Sequence, residues 1–583
     1  MKKEISLFLT IAMLLSMLAT GAMAEGYTAG TYTGTAAGRN GDVTVEVVVS
    51  NTAIESVTVT AQQETAGVAD PALEQIPAAI VTGQTLAVDA IAGATITSDA
   101  ILAAAESALT TAGADIDALK TPKADHADAA PVEDMTTDVL VVGGGLAGLA
   151  SAVSAREQGA EVILVEKMAA TGGTSALSGG GIAAPGSHLQ VENGIVDSPA
   201  AYVNEWKMYQ SFTARDGVEL DSDRMLFLAK SGAELIEWLE GYGFEFGAPT
   251  SFGMVEGVDR FHYPSNLPNK QTGKMTEVAT EKGANILLNT RATKLVTDEN
   301  GAVIGCKMEQ NGQTFTIYAK AVVLATGGYS WNDELVARLC PENLNTLHVA
   351  SIGSTGDGLI MAEEVGAALY ENQWLMGMSY SVSQDGNTLN NLGGPWTISM
   401  MVDRDGNRFM NENLHPNAYS NMILRGKGPY YTIVDSSDEA KAAICEENVG
   451  CEYLVKGDTL EELAQNAGFD VDTFVGWVYN WNNGIKNGYD AFGARIAYMA
   501  PIEKGPFYAV RQTPTNMDSM GGIKTNLEAE VLRGDGTSIQ NLYAAGAISN
   551  GALYDTAYMS GSAVLNCYTM GRIAGKNAAA LAK

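Results

Sequence analysis

The sequence predicts an α/β protein: a central parallel sheet assembled from separated segments, an inserted α+β cap, and a small N-terminal α+β domain. Buried apolar runs that each end in glycine predict the sheet: 139–142, 322–325 and 542–545. Residues 373–518, rich in Met, Trp, Tyr and Asn and poor in long apolar runs, predict the cap. Alternating apolar residues at 43–49 and 54–60 predict strands of the N-terminal domain.

The first apolar run opens the most informative segment. Gly143, Gly145 and Gly148 follow it, a helical pattern continues to Gln158, and a second buried run ends at Glu166. Glycines at this spacing let the backbone turn sharply and approach a pyrophosphate at the positive end of the helix. An acidic residue at the end of the second strand accepts hydrogen bonds from a ribose. The segment therefore predicts a dinucleotide-binding unit.

Composition and charge narrow the classes of function. A chain of 583 residues suggests three or four domains, and 46% hydrophobic residues with 64 glycines fit a globular α/β protein. The net charge of −33, with no basic stripe, argues against nucleic-acid binding.

The N-terminus has the pattern of a signal peptide. Lys2 and Lys3 precede an apolar run at 5–18, and a small-x-small cleavage pattern ends at Ala24. No cysteine lies near this point, so lipid attachment is not indicated. We expect a secreted protein whose mature chain starts near Glu25.

The cysteine pattern argues against metal centres. None of the five cysteines forms a Cys-x-x-Cys pair, so the sequence predicts no haem, no iron–sulfur centre and no other metal site. Cys445 and Cys451 could form a small disulfide in an oxidising compartment or remain free thiols.

Additional motifs indicate which dinucleotide binds. Glycine-rich segments at 171–175, 179–181, 325–328 and 544–546 follow the first unit in the order seen in FAD enzymes. With them, the chain from 134 to 583 resembles the flavoprotein subunit family of fumarate reductase and succinate dehydrogenase. The resemblance implies a Rossmann-like FAD-binding domain of the two-dinucleotide-binding type, with non-covalent FAD and a cap that closes over the flavin. It assigns to FAD Gly143, Gly145, Leu146, Ala147, Gly148, Glu166, Lys167, Gly172, Gly173, Thr174, Ser175, Gly180, Gly181, Thr326, Gly327, Asp357, Gly546, Ser562 and Ala563.

A second resemblance lies in the N-terminal domain. Residues 89–98 are similar to the attachment motif of FMN-binding domains, in which a flavin transferase links the FMN phosphate to a threonine. The matching threonine is Thr95, and Ala92 departs from the usual Ser or Thr. The alternative is an ordinary loop-to-helix turn capped by Ser98 or Asp99. The residues assigned to FMN with Thr95 are Gly93, Ala94 and Thr97.

These assignments divide the chain into six segments. They are a signal peptide at 1–24, an FMN-binding domain at 25–118, a linker at 119–133, FAD-binding segments at 134–372 and 519–583, and the cap at 373–518.

The substrate positions depart from the family pattern. Counting from flanking motifs, the acid arginine of the family falls on Pro416, a clamp histidine on Asp518 and a clamp arginine on Tyr558. The early cap histidine is absent from the segment around 373–376. Because a carboxylate would repel fumarate, we expect a different acceptor for the same hydride chemistry.

Three residues are the catalytic candidates. Tyr558 could donate to a carbonyl oxygen or protonate the α-carbon, His415 could supply protons, and Asp518 could orient either residue or bind the substrate. Alternatively, they are a packed tyrosine, a surface histidine and a turn aspartate. Arg425 and Arg511 could hold a carboxylate or form surface ion pairs.

The resulting hypothesis is a secreted two-flavin reductase. Electrons enter from a membrane-associated donor through covalent FMN, pass to FAD and leave as hydride to an α,β-unsaturated carbonyl or carboxylate. The alternatives are a ketosteroid-type dehydrogenase, a fumarate reductase and an extracellular electron-carrier flavoprotein.

Overall fold

The computed structural model describes most of the chain as two separate units, Met1–Pro131 and Val132–Lys583. The residues that it describes are 26–64, 69–91, 94–121, 132–211, 215, 218–251, 257–267, 271–344, 346–377, 379–382, 388–389, 399–413, 428–555 and 557–582.

The N-terminal unit is a three-stranded antiparallel sheet with helices. Its elements are β1 (Gly30–Ala37), β2 (Asp42–Val49), β3 (Ile54–Ala61), α1 (Asp70–Gly83), α2 (Thr95–Thr111) and α3 (Ile116–Lys120). The strand order is β1-β2-β3. Alternate residues of β2, from Val43 to Val49, are buried against α1 and α2, as period-two patterning requires.

The predicted end of this unit at residue 118 falls within α3. Leu119 is buried in the core of the unit, and its carbonyl accepts a hydrogen bond from the Leu86 amide at 2.9 Å. The folded part therefore extends past residue 118. The sequence did not indicate this boundary, because the contact joins distant segments and leaves no short-range signal.

The larger unit carries the remaining strands. In chain order they are β4 (Met135–Val142), β5 (Val162–Val165), β6 (Ile182–Ala183), β7 (Phe261–His262), β8 (Asn285–Leu287), β9 (Arg291–Thr297), β10 (Val303–Gln310), β11 (Gln313–Leu324), β12 (Leu347–His348), β13 (Trp374–Met376), β14 (Ser379–Val382), β15 (Thr388–Leu389), β16 (Met401–Val402), β17 (Tyr431–Val434), β18 (Leu454–Gly457), β19 (Phe507–Arg511), β20 (Thr513–Asn516), β21 (Asp518–Met520), β22 (Glu530–Leu532) and β23 (Ser538–Ala544).

Its helices connect and cover these strands. They are α4 (Leu146–Glu157), α5 (His188–Glu192), α6 (Pro199–Ser211), α7 (Ser222–Glu240), α8 (Gln271–Glu281), α9 (Asp333–Leu339), α10 (Asp357–Glu364), α11 (Glu439–Glu447), α12 (Leu460–Ala467), α13 (Val471–Asn487) and α14 (Ser562–Leu581).

The main sheet has the order β22-β23-β11-β4-β5-β8; β10 also pairs with β11, and β9 pairs with β10. Strands β23, β11, β4, β5 and β8 are parallel. Val139 and Val141 pack into one apolar core and Leu140 and Val142 into another, so β4 is buried on both faces. The three glycine-terminated runs of the sequence are therefore neighbouring strands whose carboxyl ends meet at one edge.

Strand β11 differs from its prediction. The sequence predicted a buried run at 322–325, whereas the strand extends from Gln313 to Leu324. Its first part pairs with β10 and its last part with β4 and β23. Exposed and buried residues alternate in the first part, whereas the last four residues are all buried. The hydrophobic pattern of the sequence therefore changes along a single strand.

The cap has its own core, and its two ends are adjacent. Strands β16, β17, β19 and β18 form a sheet in that order, packed around Phe474 and Trp481 of α13. The Asp470 side chain caps the start of α13 by accepting the Thr473 amide hydrogen bond. Strand β13, where the predicted cap begins, pairs with β21, where it ends. The predicted crossing points at 373 and 518 thus lie side by side.

Among the described residues, we found no helix with the length and apolar character needed to cross a membrane.

Candidate functional site

The turn between β4 and α4 is a backbone cradle. Gly143 has φ of 110°, and a Cβ there would lie 2.3 Å from the Ala325 carbonyl oxygen, so only glycine fits. Gly145 precedes α4 without a side-chain cap, and the Leu146 amide donates a long hydrogen bond, 3.4 Å, to the Ser175 hydroxyl, so the first turn of the helix can still offer amides to a ligand. Free amides at a helix N-terminus favour a phosphate group.

Glu166 lies at the end of β5 beside this turn. Its carboxylate is buried and accepts hydrogen bonds from the backbone amides of Gly144 at 2.8 Å and Met168 at 2.9 Å. Burial raises the pKa of this carboxyl group, although these hydrogen bonds oppose the shift. A carboxylate has about four lone-pair positions, so Glu166 can accept further bonds from a ribose.

A cavity opens at the carboxyl edge of the main sheet. Its wall has the glycines that the close approach of a pyrophosphate needs. Most of the positions assigned to FAD form its wall: Gly143, Gly145, Leu146, Ala147, Glu166, Lys167, Gly172, Gly173, Thr174, Ser175, Thr326, Gly327, Asp357 and Gly546.

Some assigned positions lie outside the described wall of this cavity: Gly148, Gly180, Gly181, Ser562 and Ala563. The Gly180 carbonyl accepts a hydrogen bond from Gln271 at 2.6 Å, and the Ser562 hydroxyl lies 2.7 Å from the Tyr554 hydroxyl. These residues hold the surrounding segments together.

The wall also fits FAD chemically. Thr326 lines the cavity, and its hydroxyl oxygen is buried with no hydrogen-bond partner in the described part of the chain. A buried polar atom without a partner costs free energy unless a ligand satisfies it. Thr326 is therefore available to a cofactor that also occupies the cradle.

An ion-pair network flanks the Glu166 part of the wall. The Asp357 carboxylate lies 2.9 Å from the Lys167 ammonium and 2.8 Å from the Arg291 guanidinium. Burial alone would raise the pKa of Asp357, but the hydrogen bonds and charges of Arg291 and Lys167 lower it overall. The network fixes the Lys167 side chain at the cavity wall.

Asp518 lines another part of the same cavity, together with Cys567 of α14. It begins β21 opposite Met376, and its carboxylate accepts the Ser519 amide hydrogen bond at 2.8 Å. Burial raises the pKa of Asp518 to about 7. The group therefore exchanges a proton near neutral pH.

Tyr558 lies just before α14 and outside the described wall of the cavity. Its half-buried ring lies 5.5 Å from the Tyr554 ring, and its hydroxyl oxygen accepts the Ala563 amide hydrogen bond at 3.3 Å. The phenol is thus held at the first turn of the helix that also carries Cys567.

The sequence reasoning missed an ion pair near Tyr558. Asp555 is fully buried and accepts hydrogen bonds from the Arg215 backbone amide at 2.6 Å and from its Nε at 2.8 Å. The Arg215 guanidinium also lies 3.5 Å from the Gln373 carbonyl oxygen at the start of the cap. The two partners are 340 positions apart, so no local pattern could have indicated the pair.

Three of the other predicted residues lie outside the described residues: His415, Arg425 and Gly93. Arg511 is described, and its guanidinium lies 5.6 Å from the centre of the Tyr453 ring. It does not line the described wall of the cavity.

The N-terminal unit places the predicted FMN positions at the start of α2. Thr95 is the first residue of the helix and is exposed, whereas Ala94 and Thr97 are buried. An exposed hydroxyl is the feature that enzymatic attachment of a flavin requires.

The cysteines that the structure describes are free, including Cys445 and Cys451. In the same residues, no cluster of His, Cys, Asp and Glu has the composition of a metal site.

The arrangement defines a flavoprotein of the two-dinucleotide-binding class with a separate N-terminal domain. The FAD binding domain family matches residues 138–565, and the FMN-binding domain family matches residues 38–110. The chain therefore belongs to the FAD-binding flavoprotein family of fumarate reductase and its relatives. It is a flavin-dependent oxidoreductase of the class that acts on CH–CH groups.

Individual relatives agree with this assignment. The chain is 33% identical to the urocanate reductase of Eggerthella lenta over 97% of its own length and 95% of that protein. It is 33% identical to a probable fumarate reductase of Shewanella frigidimarina over 76% of its length and 75% of that protein.

A solved structure supports the fold independently. The open conformation of a flavocytochrome c3 fumarate reductase matches with a TM-score of 0.63 and 30% identity, covering 81% of this chain and 84% of that one. The predicted fold class and the two flavin-binding domains are confirmed.

Proposed function

We propose that the protein is a secreted reductase of C=C bonds conjugated to a carbonyl or carboxylate group. Electrons from an extracytoplasmic donor pass through FMN linked to Thr95 and then to FAD, which supplies the hydride chemistry when bound. The observation that carries the proposal is Asp518: the FAD cavity has a protonatable carboxyl group in its wall where the family pattern has a clamp histidine.

Asp518 changes the kind of acceptor that the site favours. With a pKa near 7, the group is protonated in part of the population at neutral pH, and in that form it donates a hydrogen bond. A neutral donor stabilises negative charge that develops on a carbonyl oxygen, whereas an ionised carboxylate would repel a second carboxylate. The residue therefore favours an acceptor with a neutral or hydrogen-bonding group at this end.

Tyr558 is the proposed proton donor. The Ala563 amide bond holds its oxygen at the start of α14, and Tyr554 packs against its ring. A phenol held in this way can donate its proton to the carbon that does not receive hydride, or hydrogen-bond to the carbonyl oxygen.

The relatives support the class of acceptor. The urocanate reductase and the probable fumarate reductase are each named for an acid that contains a C=C bond. Loss of the family's cationic positions at Pro416, Asp518 and Tyr558 supports an acceptor other than fumarate.

The N-terminal segment supports the proposed location and electron source. A secreted enzyme cannot draw on cytosolic NADH, and a flavin tethered to Thr95 would not diffuse away. A membrane-associated, non-nicotinamide donor fits both features. If the purified mature protein reduced its acceptor faster with NADH than with a reduced low-potential dye, this donor assignment would be wrong.

The test is a steady-state assay of the mature protein with reduced methyl viologen and a panel of fumarate, urocanate, cinnamates, acrylates and enones. We expect turnover of at least one conjugated acceptor in preference to fumarate. Preferred fumarate turnover would identify a fumarate reductase. Faster desaturation of a 3-ketosteroid, measured separately with an oxidised dye that accepts the electrons, would identify a dehydrogenase. No turnover of any small molecule, with electron transfer to protein acceptors, would identify a carrier.

Tyr558→Phe tests the proton donor. We expect kcat to fall about 100-fold or more, the usual effect of losing a general acid or oxyanion donor. The matched control is Tyr242→Phe, which removes a phenol that donates to Glu157 at an exposed site. Equal activity of the two variants would contradict the role of Tyr558.

A further inference from the structure

Glu64 is a buried carboxylate that links two parts of the N-terminal unit. Only 9% of the residue is exposed. One carboxylate oxygen accepts the Asn40 backbone amide in the β1–β2 turn at 2.9 Å, and the other accepts the Thr97 hydroxyl in the first turn of α2. Glu64 therefore joins the tip of a hairpin to the start of the helix.

That first helical turn is divided between exposed and buried residues. Thr95 and Ile96 are exposed, whereas Thr97 and Ser98 are buried. The Ser98 hydroxyl accepts the Ile91 amide at 3.0 Å and donates to the Ala94 carbonyl at 2.9 Å. The orientation of the exposed Thr95 hydroxyl therefore depends on how the two buried residues are held.

The partners of Glu64 indicate a positioning role. In the described part of the unit, no lysine or arginine forms an ion pair with it, and its carboxylate is held by one hydroxyl and one amide. Burying a carboxylate costs more than burying an amide or an apolar group. Charge-assisted hydrogen bonds are shorter and more directional than neutral ones. The Glu64 carboxylate therefore holds the start of α2 in place more firmly than a neutral side chain would.

We propose that Glu64 is the positioning residue for flavin attachment: through Thr97 it holds the first turn of α2 so that a flavin transferase meets the Thr95 hydroxyl in one orientation. This inference rests on the covalent FMN of the proposed function. In the step, a bond forms from Thr95 Oγ to the FMN phosphorus of FAD, and the phosphoanhydride bond to the AMP half breaks. AMP leaves, the hydroxyl proton passes to solvent, and nothing is oxidised or reduced.

The experiment measures initial rates of FMN attachment to the full mature chain, with flavin transferase and FAD, by flavin fluorescence in denaturing gels. We expect Thr97→Val and Glu64→Gln to lower kcat about tenfold or more with little change in KM for FAD, because misorientation affects the reacting geometry. Thr97→Ser keeps the hydroxyl and should retain nearly the wild-type rate.

The matched control is Thr44→Val, which removes a hydroxyl that pairs with Thr35 at 3.1 Å in the same sheet. We expect attachment at the wild-type rate. Melting curves of all variants separate loss of fold from loss of positioning. If Thr97→Val does not fold, Glu64→Gln decides, because it keeps the shape and an acceptor oxygen.

Two negative results are distinguishable. If the wild-type chain takes up no covalent flavin, the proposed attachment at Thr95 fails. If the wild type is labelled and the folded Glu64→Gln and Thr97→Val variants are labelled at the same rate, attachment stands and the role of Glu64 is overturned.

Discussion

Two parts of the FAD cavity differ in whether the acidic side chains in their walls are paired with cations. Around Glu166, the wall is compensated: Lys167 and Arg291 both pair with Asp357. Around Cys567, the described wall contains Asp518 with no cation paired to it. In the first part, ion pairs within the protein balance the charge of Asp357. In the second part, the Asp518 carboxyl group titrates near neutral pH.

The contrast separates cofactor binding from chemistry. Compensated charges keep a binding wall constant over a wide pH range, which suits a cofactor that stays bound. A carboxyl group whose pKa is raised by desolvation is costly for stability and is typical of places where protons move. We infer that this division allows one FAD scaffold to serve different acceptors.

The largest effect is expected from a substitution in the cradle. Gly143→Val should abolish FAD binding, because its Cβ would collide with the Ala325 carbonyl and φ is positive. Flavin absorbance after gel filtration measures the outcome. Gly159→Ala is the control, since Gly159 also has positive φ but no atom within 4 Å of the added Cβ. Normal FAD content in Gly143→Val would refute the cradle.

Asp518→Asn should change how stability depends on pH. The pKa rises from 3.8 to about 7 on folding, so this group's stabilisation is complete below about pH 4 and is lost as pH rises to about 7. The neutral variant should therefore exceed the wild type near pH 8 by at most about 4 kcal/mol and match it near pH 4. Urea unfolding of FAD-free protein measures the difference, and a pH-independent difference would count against the shift.

A smaller effect is expected at the compensated wall. Asp357→Asn should release Lys167 and Arg291 and weaken FAD binding about tenfold, or about 1.4 kcal/mol. Titration of the apoprotein with FAD gives the dissociation constant. Glu363→Gln on the same helix removes an exposed ion pair with Arg338. This control should change the free energy of FAD binding by less than about 1 kcal/mol. Equal effects of the two substitutions would show that the network has no special role.

The smallest effect is expected at Arg511. Arg511→Gln should change the KM of the acceptor less than about twofold, because the guanidinium lies by Tyr453 and outside the described cavity wall. Steady-state kinetics with the preferred acceptor provide the measurement. A large rise in KM would restore the carboxylate-binding role that the sequence suggested.

The cofactor-binding motifs could be predicted from the sequence because residues close together in the chain form them. The turn from Gly143 to α4 and the carboxylate of Glu166 belong to one strand–helix–strand unit, and the structure places both at one cavity. Asp518 was located by counting from the next glycine pair, and it also lines that cavity. The ion pair between Arg215 and Asp555 was missed because only the folded chain brings these residues together.

The amino-acid sequence by itself determined the flavin-binding class, since glycine spacing and strand patterning act over a few residues. It also determined which substrate positions depart from the family. Only the tertiary structure decided that the half-buried Asp518 carboxyl group is desolvated enough to raise its pKa to about 7, that Glu64 joins the β1–β2 turn to the helix start at Thr95, and that Arg215 pairs with Asp555. Desolvation and long-range hydrogen bonds depend on the packing of distant segments, which no local pattern records.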